Sequence, residues 1–474
     1  MGEVRTWGRL YIGGEWVAPA ATGSIEVVNP ATEAVCATVP AGGPDDVARA
    51  AAAARAALPA WSATPPRDRA AAVARLGEAV QGRMAELGQV ITEELGMPVN
   101  LATMIQVGLP VMTLSAWPSI VDSFTFEERV GNSLVVREAA GVIAAITPWN
   151  YPLHQIAAKV GPALVAGCTV VLKPSELVTS VAFLLAGLAQ EAGLPPGLLN
   201  VVSGAGDTGR SLVESGEVDM VSFTGSTAVG RQVAARAAGT VKRVALELGG
   251  KSPNVILDDA DLAHAVTAGI TSAFLNSGQT CSALSRMLVP RSRLAEAEEL
   301  ASERAAHYVP GDPFAPGTRL GPVVSSRQRD RVQGYIRSGL EEGARLVAGG
   351  PERPEGLDRG WYVRPTVLSG VQPWMRVARE EIFGPVLAIL AYDTEEQAVE
   401  LANDSEYGLH AAVWSADQER ALAVARRLQA GMVEVNGGMM NPLAPWGGCK
   451  QSGNGRELGR YGLEEFVQLK SLQL

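Results

Sequence analysis

Short apolar or β-branched runs alternate with helical stretches between residues 141 and 248, and this constrains the fold more than any other feature. Val142 to Thr147, Thr169 to Leu172, Leu199 to Ser203, Met220 to Phe223 and Val244 to Leu248 are the strand candidates. Residues 153–166, 179–192, 207–214 and 227–238 are the helices between them. Repeated βα units demand crossover connections, and these give a parallel sheet with helices on its faces. A second alternating series fills roughly 249–440, so the predicted class is α/β.

The 474 residues predict two or three domains. At 47% hydrophobic and 19% charged, the chain can bury large cores, which excludes wholesale disorder. Its net charge of −10 repels a phosphate backbone, so nucleic acid is not an expected partner. Cys36, Cys168, Cys281 and Cys449 are too few and too dispersed for a disulfide framework, and with four histidines no metal site is expected. Met1-Gly2-Glu3-Val4-Arg5-Thr6 lacks the apolar core of a signal peptide, although it fits the short N-myristoylation pattern. No uninterrupted apolar run of 18 residues occurs. The expectation is a cytoplasmic protein without a membrane partner.

Ahead of the alternating region, residues 10–40 read as short strands broken by Gly13-Gly14 and Asn29-Pro30. Asp45 to Ala57, with Asp45 as cap, and Pro66 to Glu94 read as helices. Ser123 to Arg137 fits a β-hairpin turning at Val130-Gly131-Asn132, and Phe466 to Leu472 is an isolated terminal strand. Such strands are marginal alone, so they pair with each other or with another subunit.

Two glycine loops compete for a phosphate. Gly204-Ala205-Gly206-Asp207-Thr208-Gly209 has the dinucleotide spacing between strand and helix, yet no clear strand-ending acid follows at the required distance beyond Asp219. Phe223-Thr224-Gly225-Ser226-Thr227-Ala228-Val229-Gly230 also runs from strand to helix. There Gly225 permits close backbone approach, and Ser226 opens a helix whose free N–H groups attract anions. Each loop also reads as an ordinary turn or N-cap. Lys173 and Glu176, in Lys173-Pro174-Ser175-Glu176, stand at a strand's C-terminal edge, where they can hold ribose hydroxyls or form a solvated loop. A carboxylate there accepts from a 2′-hydroxyl and repels a 2′-phosphate, which predicts NAD over NADP.

Cys281 lies in the polar loop Asn276-Ser277-Gly278-Gln279-Thr280-Cys281-Ser282, whereas Cys168 and Cys36 sit in apolar, strand-like contexts. Cys449, beside Lys450, is the rival nucleophile. Glu247 ends a strand before two glycines and reads either as a general base or as an ion-paired structural acid. Asn150 follows another strand, and its amide can serve an oxyanion or simply a turn.

Taken together, seven ordered motifs resemble the NAD(P)-dependent aldehyde dehydrogenase superfamily over nearly the whole chain. They are Thr147-Pro148-Trp149-Asn150, Lys173-Pro174-Ser175-Glu176, Phe223-Thr224-Gly225-Ser226-Thr227, Glu247-Leu248-Gly249-Gly250-Lys251, Gly278-Gln279-Thr280-Cys281, Glu381-Ile382-Phe383-Gly384-Pro385 and Gly447-Gly448-Cys449-Lys450-Gln451-Ser452-Gly453. The resemblance implies a doubly wound NAD-binding domain (1–122 and 141–247), an α/β catalytic domain (248–440) and a β oligomerisation arm (123–140 and 455–474), assembled as a homodimer or homotetramer.

The resemblance also implies site roles. Cys281 becomes the nucleophile, attacking as thiolate, with Asn150 and its own backbone N–H holding the oxyanion. Glu247 becomes the base that hydrolyses the thioester, which favours hydrolysis over acyl transfer to coenzyme A, and Lys159 with Glu457 relays protons. The expected NAD contacts are Thr147, Trp149, Lys173, Ser175, Glu176, Gly225, Ser226, Leu248, Gly249, Glu381 and Phe383, with Gly206 and Gln328 secondary. Tyr151, His154, Gln155 and Trp446 are expected to line the aldehyde pocket. Trp446 and Cys449 depart from the family's usual residues, both near the expected substrate entrance, and Arg286 reads as structural. Open alternatives are a catabolic semialdehyde as substrate, or thiol esterase or acyltransferase chemistry without redox.

Overall fold

The computed structural model describes residues 4–474; Met1 to Glu3, and with them the start of the lipidation pattern, lie outside the described residues. The alternating region forms a sheet ordered Gly453–Asn454, Arg243–Glu247, Met220–Thr224, Val142–Ile146, Thr169–Lys173, Leu199–Val201, Leu10–Ile12 and Glu15–Val17. The five strands between 142 and 247 are parallel, and the edge strands on both sides run antiparallel. Val142–Ile146 and Thr169–Lys173 are buried along their whole length, which explains their unbroken apolar runs.

Strand order reverses direction between Val142–Ile146 and its neighbour Met220–Thr224. At such a switch point the helices leave on opposite faces, and a crevice opens beyond the carboxyl ends. Thr147-Pro148-Trp149-Asn150 and Gly225-Ser226 lie at those ends.

The second series forms a sheet ordered Arg345–Ala348, Thr366–Ser369, Val386–Tyr392, Arg286–Pro290, Pro253–Ile256, His410–Trp414 and Met432–Val435, parallel except at its first strand. A third sheet pairs Glu127–Val130 with Ser133–Ala139, and the latter with Val467–Gln473, from Val467↔Ala139 to Gln473↔Ser133. The terminal strand therefore pairs within its own chain. Phe124 and Phe126 stay outside the hairpin and stack on each other edge to face. The segment before the terminal strand, expected in the arm, instead joins the first lobe: Gly459–Glu465 packs on Pro152–Ala166.

Two further expectations change. The first helix, Pro44–Ser62, is capped by Gly43, two residues before the expected Asp45, with the buried Asp46 carboxylate accepting from the Gly43 and Ala20 N–H groups. The predicted 66–94 helix is two, Pro66–Gly82 and Met84–Leu95, broken at Arg83 (φ −120°). Val99–Ser123 is helical throughout and, by length and composition alone, apolar enough to cross a membrane (mean hydropathy 1.4). One face of it, including Val107, Leu114 and Trp117, is buried against Pro66–Gly82 and Pro152–Ala166. The interrupted apolar pattern concealed this element.

Candidate active site

The crevice has two connected chambers. The outer one, about 410 Å³, is lined by Lys173, Glu176, Gly206, Gly225, Ser226 and Arg236. The inner one, about 590 Å³, shares Trp149, Ser175, Glu176, Gly225 and Ser226 with it and reaches Asn150, Cys281, Glu381 and Phe383. Ser226 is the N-cap of Thr227–Ala237, and its side chain makes no cap bond, so the first turn keeps N–H groups free for an anion. Gly206 opens its own helix in the same chamber, so both competing loops border one cleft. Lys173 Nζ stands 3.4 Å from Glu176 Oε2 at the rim, and Arg210 and Arg236, the other cations there, pair with Asp207 and Glu214. The buried Thr147 hydroxyl has no partner. This donor set fits a dinucleotide lying along the crevice.

At the inner end, Trp149 and Phe383 meet edge to face at 5.3 Å. Phe383 holds a left-handed φ of 61°, and its carbonyl accepts from Gln328 Nε2 at 2.7 Å. Glu381 Oε1 accepts the Gly250 N–H at 3.1 Å, and burial pushes this carboxyl up to about 7. Leu248 and Gly249 line the same wall.

Cys281 follows three consecutive left-handed residues, Asn276 (φ 53°), Ser277 (φ 56°) and Gly278 (φ 72°). At Gly278 a Cβ would stand 2.1 Å from the Gly384 backbone, so this position demands glycine. Buried Gln279 ties the loop down, donating to Asn276 O and accepting from Val324 N–H. Burial, then the charges of Glu247 and Glu381, push the Cys281 thiol up to about 12. Burial therefore opposes the thiolate form in which Cys281 is expected to attack, so a base has to take its proton.

Glu247 ends its strand buried, with Oε1 unpartnered, and Gly447 faces it so closely that a Cβ there would stand 2.7 Å from that oxygen. Burial and then the Glu457 charge hold its carboxyl well above the usual range, while Lys159 and Arg456 pull it down. Lys159 and Glu457 form a buried ion pair. Asn150 Nδ2 donates to Gln279 O at 3.1 Å, leaving its second N–H for another acceptor.

Trp446 joins Ala158, Leu409 and Leu458 in an apolar cluster that Cys281, Met432 and Met440 pack against. The Tyr151 hydroxyl bonds Thr280 Oγ1 at 2.9 Å, and His154 Nδ1 is buried without a partner. Gln155, expected on the aldehyde wall, accepts from Thr224 Oγ1 at 3.0 Å and lines the inner chamber with Asn150 and Cys281. Cys449 is turned away: its thiol donates to the Gly408 and Gln429 carbonyls and does not join the Cys281 cluster. Arg286 is structural, its donors spent on the Lys251, Leu401 and Ala402 carbonyls. Sequence reading missed Leu409, Met432 and Met440, which tertiary contacts alone bring to Cys281.

A family model described as the aldehyde dehydrogenase family matches residues 16–472. The chain is 49% identical over 471 residues to a 3-succinoylsemialdehyde-pyridine dehydrogenase of Pseudomonas sp., covering 99% of each. It superposes on a mutant of aldehyde dehydrogenase C from Pseudomonas syringae, solved with NAD+ and octanal, with a TM-score of 0.97 and 50% identity, covering 98% of this chain and 96% of that one. A Mycobacterium tuberculosis aldehyde dehydrogenase solved with NAD+ gives a TM-score of 0.97 at 42% identity, covering 100% and 99%. Family model, relatives and site geometry agree, and the chain belongs to the aldehyde dehydrogenase family.

Proposed function

We propose that this chain oxidises an aldehyde to its carboxylic acid through a thioester on Cys281, with NAD preferred over NADP. The carrying observation is the convergence of Cys281 and the Asn150 amide at the inner end of a dinucleotide-shaped crevice, with the unpartnered Glu247 carboxyl close enough to raise the thiol. NAD, when bound, supplies the hydride acceptor. Lys173, Glu176, Gly225, Ser226, Glu381 and Phe383 would hold it.

Glu247 takes the thiol proton, and the sulfur attacks the carbonyl carbon while the π electrons move to oxygen. The free N–H of Asn150 and the Cys281 backbone N–H stabilise that oxygen, an effect of about 3–4 kcal/mol per donor in such sites. Glu247 gives that proton up before hydrolysis; once Cys281 carries the acyl group, it removes a proton from the water that attacks the thioester carbonyl, and the departing sulfur is reprotonated to the thiol. The Lys159–Glu457 pair beside Glu247 passes the proton outward.

The apolar cluster around Cys281, and an Arg286 already committed to carbonyls, support an aldehyde with an uncharged apolar substituent over an acidic semialdehyde. The relative acting on a pyridine-borne semialdehyde and the neighbour solved with octanal point the same way. The Glu176 carboxylate at the rim supports NAD, since it repels a 2′-phosphate. The exposed arm sheet suits a homodimer or homotetramer, with the 1–122/141–247 and 248–440 lobes meeting at the crevice, and four free thiols fit a cytoplasmic setting.

The test is NADH absorbance with aliphatic, aromatic and acidic aldehydes and either cofactor. Wild type should form NADH from apolar aldehydes with NAD, and Cys281→Ser none. Equal rates from both would overturn the nucleophile, ester hydrolysis alone would favour the non-redox reading, and preference for NADP would overturn the role of Glu176.

A further inference from the structure

Gln106 lies in a largely apolar helical stretch, and it is fully buried. It lies within a π turn, Ala102–Val107, of the Val99–Ser123 run. A π turn carries one extra residue per turn, which shifts the side chains that follow, and such turns concentrate at functional sites. Gln106 Nε2 donates to the main-chain carbonyl of Asn150 at 2.9 Å, with Met97 Sδ at 3.4 Å. Its Oε1 is buried with no partner. A half-satisfied amide is a poor choice for packing, because an orphaned buried acceptor costs stability that a methionine of similar shape would avoid. The retained group is the N–H donor.

The Asn150 carbonyl receives a second amide, Asn276 Nδ2, also at 2.9 Å. Asn276 belongs to the left-handed turn that delivers Cys281. The peptide after Asn150 is thus clamped between the π turn and the nucleophile loop. Fixing that peptide plane fixes the Cα–Cβ direction of Asn150, and hence the aim of the N–H left over once the other has bonded Gln279 O.

We propose that Gln106 is a positioning residue that holds Asn150 in line with the oxyanion formed at Cys281. The inference rests on the oxyanion role given to Asn150 above. Such donors act by being in place before the charge develops, so misplacement costs rate more than binding.

A double-mutant cycle tests it, with Gln106→Met, Asn150→Ala and the pair compared by steady-state kinetics, NAD binding and thermal melting. Gln106→Met should lower kcat about tenfold while KM and NAD affinity stay within about twofold. In the Asn150→Ala background it should cost less than about twofold further, because nothing is left to position. Unchanged kcat in Gln106→Met, or losses that multiply, would overturn the proposal. Unchanged kcat in Asn150→Ala would overturn the oxyanion reading itself and the proposal with it, which separates the two failures. If Gln106→Met does not fold, Gln106→Leu, also without a donor, goes through the same cycle with the same criteria.

Discussion

Burial opposes the ionised form of Glu247. A general base must be ionised, and its carboxyl lies well above the ordinary range because of burial and Glu457. Thioester hydrolysis should therefore rise with pH through that raised pKa. Glu247→Gln should release about one NADH per site in a slowed burst and then stall, with steady-state kcat lower by about 100-fold or more. Stopped-flow absorbance checks this, and undiminished turnover would remove Glu247 from the hydrolytic step. At this scale the residue types were legible: a thiol in a polar loop, an acid and an amide at strand ends. Their protonation states were not, because Cys281 owes its high pKa to burial and to Glu247 and Glu381, which only folding brings near.

Helix ends carry the same kind of long-range debt. The N-terminus of Ser180–Glu191 has no side-chain cap of its own; Glu94, on Met84–Leu95, accepts from the Thr179 and Ser180 N–H groups. Burial nevertheless pushes Glu94 up to about 7 from an ordinary 4.5. The native state then binds that proton more tightly than the unfolded chain does. Its stabilising contribution is complete below the unfolded pKa and is lost as pH rises through about 7. Relative to Glu94→Gln, wild type should lose about 3 kcal/mol between pH 4 and 8. Urea unfolding across that range measures it, and parallel curves would refute it. Strand and helix identities were readable here from periodicity, but ends were not: Gly43 and Asp46 displaced the expected Asp45 cap, and Arg83 broke a helix whose apolar pattern runs on.

At the scale of the whole molecule, the arm sheet leaves Val130, Leu469 and Leu472 exposed, although Val467–Gln473 is fully paired on one edge. An exposed apolar strand is a docking surface or an aggregation hazard. For the homo-oligomer proposed above, Leu469→Asp should lower the sedimentation coefficient towards that of a monomer, with the fold intact by circular dichroism; an unchanged coefficient would refute this sheet as the interface. The sequence alone determined the α/β class and the alternation of strands and helices from residue 141 onwards, and it singled out a thiol, an acid and an amide as candidate reacting groups. These follow from local periodicity and from motifs written in consecutive residues. Tertiary structure alone decided which way Gln155 and Cys449 face, that burial and nearby acids raise the Cys281 thiol, and that Gln106 reaches Asn150. The physical reason is the same throughout: orientation, burial and electrostatic shift are properties of neighbours in space, and those neighbours come from distant parts of the chain.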